Sequence, residues 1–149
     1  MEDKINQIAI ASDHAGFEFK EYIKLNITKL GYNVKDFGTF SSDHVDYPDL
    51  IHPLASAVNS GILKMGIILC GSGNGVAMVA NKYKGIRAAV CWNEEITKLA
   101  RLHNNANILA IPARFITKSL AFELVKIFLT TGFEGGRHEL RVAKIQNLI

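Results

Sequence analysis

Apolar and polar positions along this chain switch repeatedly between a strand period and a helix period. Ile5 to Ala11 is a short apolar run closed by Ser12-Asp13-His14, the profile of a strand buried on both faces. From Phe17 to Leu30 the apolar residues Phe19, Ile23, Ile27 and Leu30 recur at intervals of three and four. That spacing predicts a helix, and Gly31 stands where a helix C-cap favours glycine. Tyr32 to Phe37 alternates as a strand does. A polar connection through Ser41, Ser42 and Asp43 leads to Asp46-Tyr47-Pro48-Asp49, and Leu50 to Asn59 reads as helix before Gly61.

The centre of the chain repeats the pattern. Met65 to Cys70 predicts a strand, Gly71-Ser72-Gly73-Asn74-Gly75 a loop, and Val76 to Tyr83 a helix. Ile86 to Cys91 predicts the next strand. Glu94 to His103 predicts a helix with Ile96, Leu99, Ala100 and His103 on one face. Ile108 to Ile111 follows as a strand and Thr117 to Thr130 as an amphipathic helix capped by Thr117. Gly132, Gly135 and Gly136 precede a final short helix from about Arg137.

This alternation predicts an α/β fold: a single Rossmann-like three-layer sandwich over residues 1–149. The expected sheet is parallel and five-stranded, in the order 2-1-3-4-5, with helices on both faces. No repeat, low-complexity stretch or linker divides the chain. In such sheets ligands bind beyond the C-terminal strand ends, where strand order reverses. Asp13-His14, Cys70 with its glycine loop, and Trp92-Asn93 all follow predicted strands, so they are expected on one rim.

Composition narrows the function classes. Hydrophobic residues make up 48% of the chain, enough for a sizeable core. No apolar run approaches the roughly 20 residues that span a bilayer, and Met1-Glu2-Asp3-Lys4 lacks a signal-peptide layout. A cytoplasmic protein is expected. The net charge of +3 is too modest to argue for nucleic-acid or membrane binding. Part of the basic excess gathers at Arg137, His138, Arg141 and Lys144. Two cysteines, Cys70 and Cys91, form no disulfide framework.

Several positions offer chemistry, each with a plainer alternative. Glycines 71, 73 and 75 let the backbone turn tightly and aim successive N–H groups into one concavity at a helix N-terminus. The loop is either an anion cradle or a tight strand-to-helix turn. Its spacing fits neither the dinucleotide fingerprint nor the P-loop. Cys70 is a small core residue or, beside such a cradle, a base whose thiolate is favoured. It would remove a proton next to a carbonyl while the amides hold the enediolate. Cys91 reads as structural. Asp13 is an N-cap, a ligand contact, or both. His103, opening the polar run His103-Asn104-Asn105-Ala106-Asn107, is a dipole partner or a functional imidazole. Arg137 and Arg141 lie one helical turn apart, as a surface cluster or a phosphate clamp. Asp46, Tyr47 and Asp49 are turn and cap residues first; His44 and His52 have no assigned role. No His/Cys/Asp spacing matches a metal site.

These segments also carry a resemblance. Ser12-Asp13-His14-Ala15-Gly16-Phe17, Asp46-Tyr47-Pro48-Asp49, Cys70 to Gly75, Ala80-Asn81-Lys82, Gly85 to Ala89, His103 to Asn107 and Phe133 to His138 with Arg141 fall in order along the chain. Together they resemble ribose-5-phosphate isomerase of the B type, in the family shared with galactose-6-phosphate isomerase subunits. The resemblance implies a metal-independent and cofactor-free aldose–ketose conversion. Cys70 would be the base, Ser72 a proton relay, His103 the ring-opening group and Asp13 a contact to ring hydroxyls. The amides of Gly71, Gly73, Asn74 and Gly75 would hold the enediolate, and Tyr47 and Asn104 would contact substrate. His14, Arg114, Arg137 and Arg141 would hold the phosphate.

The resemblance further implies a homodimer or tetramer whose C-terminal helix makes the contact. His103, Asn104 and the three arginines would then come from the partner chain. One branch of the family uses a glutamate just after the loop instead of the cysteine; here Val76 occupies that place. Pro112 replaces the small residue expected before Ala113-Arg114, which bears on the pose of Arg114. The rival substrate class is a six-carbon sugar phosphate, such as galactose 6-phosphate or allose 6-phosphate. The rival function class is an inactive sugar-phosphate sensor.

Overall fold

The structure, a computed structural model, describes residues 6–146. Ile5, the first residue of the expected opening strand, lies outside that range. In chain order the elements are β1 (Gln7–Ser12), a 3-10 turn (His14–Gly16), α1 (Phe17–Lys29), β2 (Asn33–Asp36), α2 (Tyr47–Asn59), β3 (Met65–Cys70) and α3 (Asn74–Ala80). They continue with β4 (Ala88–Val90), α4 (Glu94–Leu102), β5 (Ile108–Pro112), α5 (Lys118–Thr130) and α6 (Arg137–Ile145). Every strand pairing is parallel. Gly31 and Gly61 close α1 and α2 in the left-handed region, at φ +98° and +81°. Thr117 accepts a hydrogen bond from the Leu120 N–H at 3.1 Å, as its expected role as the α5 cap requires.

The sheet order is β2-β1-β3-β5-β4, which corrects the expected 2-1-3-4-5. Burial accounts for the exchange. Ile108, Leu109, Ala110 and Ile111 of β5 are wholly buried and suit a central strand covered on both faces. β4 has only three residues, all half-buried, and suits an edge. It is shorter than the expected Ile86–Cys91. Side chains serve the backbone at its start: the Arg87 N–H donates to Asn107 Oδ1 and the Ala88 N–H to Asn81 Oδ1.

Alternate strand residues feed two cores. Ile8, Ile10, Ile67, Leu69, Leu109 and Ile111 pack with Ile23, Ile27, Leu124, Val125 and Phe128 from α1 and α5. Ala9, Ala11, Ile68, Cys70, Ile108 and Ala110 pack with Ile51, Leu54, Ala55, Val76 and Ala77 from α2 and α3. Of the expected α4 face, Ala100 is buried and Ile96 packs against the core, while Leu99 and His103 are only half-buried and Thr97 and Arg101 are buried as well. The buried Arg101 guanidinium donates to the carbonyls of Thr131 (2.9 Å) and Ala106 (2.6 Å) and to Asn105 Oδ1 (3.0 Å), so its charge is met by oxygen at each contact.

No helix among the described residues is long and apolar enough to cross a membrane. Helix α6 makes few contacts with the rest of the chain, and Leu140 and Ile145 on it are exposed.

Candidate active site

Strand order reverses between β1 and β3, and their C-terminal ends lie side by side, with Ser12 in register with Leu69. The residues that follow these strands are therefore neighbours. The Asp13 N–H donates to the Leu69 carbonyl at 3.1 Å. Gly16 packs so closely on Leu69 that a Cβ there would stand 2.8 Å from the Leu69 Cβ. The Asp13-His14 turn and the Cys70 loop thus form one rim of the sheet.

Cys70 ends β3 with only 6% of its surface exposed. Gly73 takes φ +77°, a conformation that suits glycine, and its N–H donates to Cys70 Sγ at 3.1 Å. The Asn74 N–H donates to Ser72 Oγ at 3.2 Å. Two amides of the loop therefore serve the thiol and the serine hydroxyl within the chain itself. A donor aimed at sulfur stabilises negative charge on it. At Cys91, burial pushes the thiol up to about 11, against a smaller opposing effect from Thr97.

Neighbouring side chains crowd the loop. A Cβ on Gly75 would lie 2.5 Å from the Tyr47 ring, so the phenol at the start of α2 sits directly on the loop. A Cβ on Gly71 would lie 3.2 Å from the Arg114 side chain. Pro112 leaves this pose intact, since the Ala113 N–H donates to the Cys70 carbonyl (2.9 Å) and the Arg114 N–H to the Gly71 carbonyl (3.0 Å). Arg114 therefore flanks the Cys70 loop of its own chain. This corrects the expectation that it comes from a partner.

Asp13 performs the plainer of its two roles. Its Oδ1 accepts from the N–H groups of Ala15 (2.9 Å) and Gly16 (3.1 Å), which orients the carboxylate. The Val45 N–H donates to His14 Nδ1 at 3.3 Å, leaving Nε2 as the protonated nitrogen of the neutral ring. The His14 ring also lies 4.2 Å from that of His44. Asp13, His14, Asp46 and Tyr47 share a cleft of about 560 Å³.

A second cluster gathers at the end of α4. His103 stacks on His138 with ring centroids 4.2 Å apart, and His103 Nε2 lies 3.6 Å from Glu134 Oε2. Burial lowers the pKa of His138, and the charges of His103, Arg137 and Arg141 reinforce the shift. Two arginines hold the loop that carries His103 and Asn104. Arg101 binds the Asn105 side chain, and Arg87 Nε donates to the Asn105 carbonyl at 2.9 Å. Asn105 itself has φ +47°. Among the described residues, no hydrogen bond or ion pair joins His103, Asn104, Arg137 or Arg141 to the Cys70 loop. Sequence patterns assign no site role to Glu134, His138 or the two anchoring arginines, Arg87 and Arg101. The available signals were an arginine on the buried face of α4 and the basic cluster around His138.

A rim thiol held by backbone N–H, an imidazole and a capped carboxylate beside a polar cleft define an α/β enzyme that acts on a polar small molecule. Comparisons with known proteins agree. The family model described as Ribose/Galactose Isomerase matches residues 8–145. Ribose-5-phosphate isomerase B of Escherichia coli is 40% identical over 141 residues, covering 95% of each chain. The crystal structure of a ribose 5-phosphate isomerase from Thermotoga maritima superposes with a TM-score of 0.93 at 49% identity, covering 95% of this chain and 98% of that one. Ribose-5-phosphate isomerase B from Mycoplasma genitalium, solved with bound ribulose-5-phosphate, gives 0.90 at 43% identity over 94% and 93%. The chain belongs to the ribose/galactose isomerase family.

Proposed function

We propose that this isomerase interconverts ribose 5-phosphate and ribulose 5-phosphate through an enediolate, with Cys70 as the base and no metal in the reaction. The observation that carries this reading is the Cys70 Sγ at the mouth of the glycine loop, accepting the Gly73 N–H at 3.1 Å. In the aldose-to-ketose direction the thiolate takes the proton from C2 of the open-chain sugar. The C2 electrons form the C1–C2 double bond, and charge moves onto O1. Loop amides stabilise that oxyanion. Ser72 passes the O2 proton to O1, and the Cys70 thiol returns its proton to C1. The place just after the loop, where one branch of the family has a glutamate, is held by Val76, which is buried in the core.

Around that centre, Asp13 and Tyr47 contact the sugar, His14 and Arg114 bind the phosphate, and His103 opens the ring. His103, Asn104, Arg137 and Arg141 act on the Cys70 site of a partner chain in a homodimer, because among the described residues no hydrogen bond or ion pair ties them to that loop within one chain. The enzyme serves the non-oxidative pentose phosphate route in the cytoplasm.

The test is turnover on a panel of five- and six-carbon sugar phosphates in the presence of a chelator. Ribose 5-phosphate and ribulose 5-phosphate should interconvert at full rate. A preference for galactose 6-phosphate or allose 6-phosphate would replace the substrate assignment. Loss of activity in chelator would overturn the metal-free mechanism, and no activity on any sugar phosphate would favour a sensor.

A further inference from the structure

Fold contacts bring together three side chains that sequence spacing does not. His103 ends α4, His138 lies in the first turn of α6, and Glu134 precedes that helix. The Glu134 N–H donates to the Leu102 carbonyl at 3.0 Å, which fixes this segment against the end of α4. One nitrogen or carboxylate oxygen from each of the three residues lies within 4.8 Å of the others. His103 Nε2 and Glu134 Oε2, at 3.6 Å, are already close to the roughly 3.3 Å between ligand atoms of a tetrahedral zinc site with bonds near 2.0–2.1 Å.

A second observation points to a ligand. His138 is 5% exposed, and its Nε2 is buried with no hydrogen-bond partner among the described residues. A buried ring nitrogen without a partner is costly, and metal coordination is one way to satisfy it.

We propose that His103, Glu134 and His138 form a binding site for a divalent transition-metal ion of the zinc class, and that the ion inhibits the isomerase by occupying His103. Two imidazoles and one carboxylate are a donor set that zinc accepts, with water in the fourth position. The stacked rings are inclined by only 12°, so their lone pairs lie in nearly parallel planes and do not converge on one point. Binding therefore turns one ring. His103 is the one free to turn, because 36% of its side chain is exposed while His138 is enclosed. Once coordinated, the nitrogen has no lone pair left to move a proton. The inhibitory half of the proposal rests on the ring-opening role given to His103 above.

The experiment adds zinc sulfate to the metal-free full-length protein. Binding is read by competition with a chromophoric chelator without substrate, and turnover is read separately. One zinc per chain is expected, with turnover lost and then restored by EDTA. Glu134→Gln, at an exposed position, and His138→Gln should each weaken zinc binding by at least about ten-fold. Cys70→Ser should retain the zinc. Absence of binding, or binding unchanged by both ligand variants, overturns the site. Zinc held here with turnover intact would overturn the inhibition and the role of His103, while the binding site itself would stand.

Discussion

Cys70 and Cys91 show how much a residue owes to its surroundings. Both are buried thiols at the C-terminal ends of parallel strands. Cys91 Sγ faces the carbonyls of Ala89 and Ile96 at 3.8 and 4.0 Å, acceptors that oppose a negative sulfur. Cys70 Sγ faces the Gly73 N–H, a donor that supports one. Cys70→Ala should therefore lower kcat by at least the roughly 10²–10⁴-fold typical of a lost general base, while sugar-phosphate binding persists in calorimetry. Cys91→Ala should leave turnover unchanged. Equal effects of the two substitutions would mean that Cys70 acts through packing alone. The glycine spacing next to Cys70 made this difference legible in sequence, because the loop that supplies the donor is contiguous with the thiol. The pairing of His103 with His138 was not legible, since it depends on how α4 and α6 meet.

At the scale of elements, apolar runs located all five strands but could not order them. The runs at 86–91 and 108–111 are both apolar apart from Arg87, and packing makes one an edge and the other central. The same limit hid the network around Lys20. That side chain is wholly buried in α1 and reaches Asp36 at the end of β2 at 2.6 Å, while Lys24 reaches the same carboxylate at 2.9 Å. A lysine on the apolar side of a helix gives no sign in sequence of which carboxylate will meet it.

Burial alone would raise the Asp36 pKa, but the hydrogen bonds from Lys20 and Lys24 outweigh it and hold the group below the ordinary carboxylate range. A depressed folded-state pKa contributes stability that is present above the unfolded value, near 3.9, and lost as pH falls through the folded one. Asp36→Asn removes a carboxylate from a buried cation and should cost about 3 kcal/mol in urea unfolding at neutral pH. The deficit relative to the natural protein should shrink below about pH 4, where Asp36 of the unfolded chain begins to take up a proton, and vanish as pH falls through the lower folded-state value. A deficit independent of pH would show that Asp36 acts by shape rather than by charge.

For the whole molecule, the decisive feature is what one chain leaves unused. Helix α6 presents Leu140 and Ile145 to solvent at 64% and 54% exposure, although it carries two arginines of the proposed phosphate clamp. An amphipathic helix that buries so little of its apolar side within its own chain suits a contact with a second copy. If that copy places Arg137 and Arg141 over the Cys70 loop, assembly and catalysis are coupled. Leu140→Glu puts a charge into the contact and should shift the protein to monomer in analytical ultracentrifugation. Turnover should then fall with the monomer fraction and recover at high protein concentration, because association obeys mass action. Arg137→Ala leaves the apolar contact in place. It should keep the dimer while raising KM more than it lowers kcat, since the phosphate is remote from C1 and C2. An active Leu140→Glu monomer would show instead that a single chain completes the site, and the clamp would have to be sought nearer Arg114.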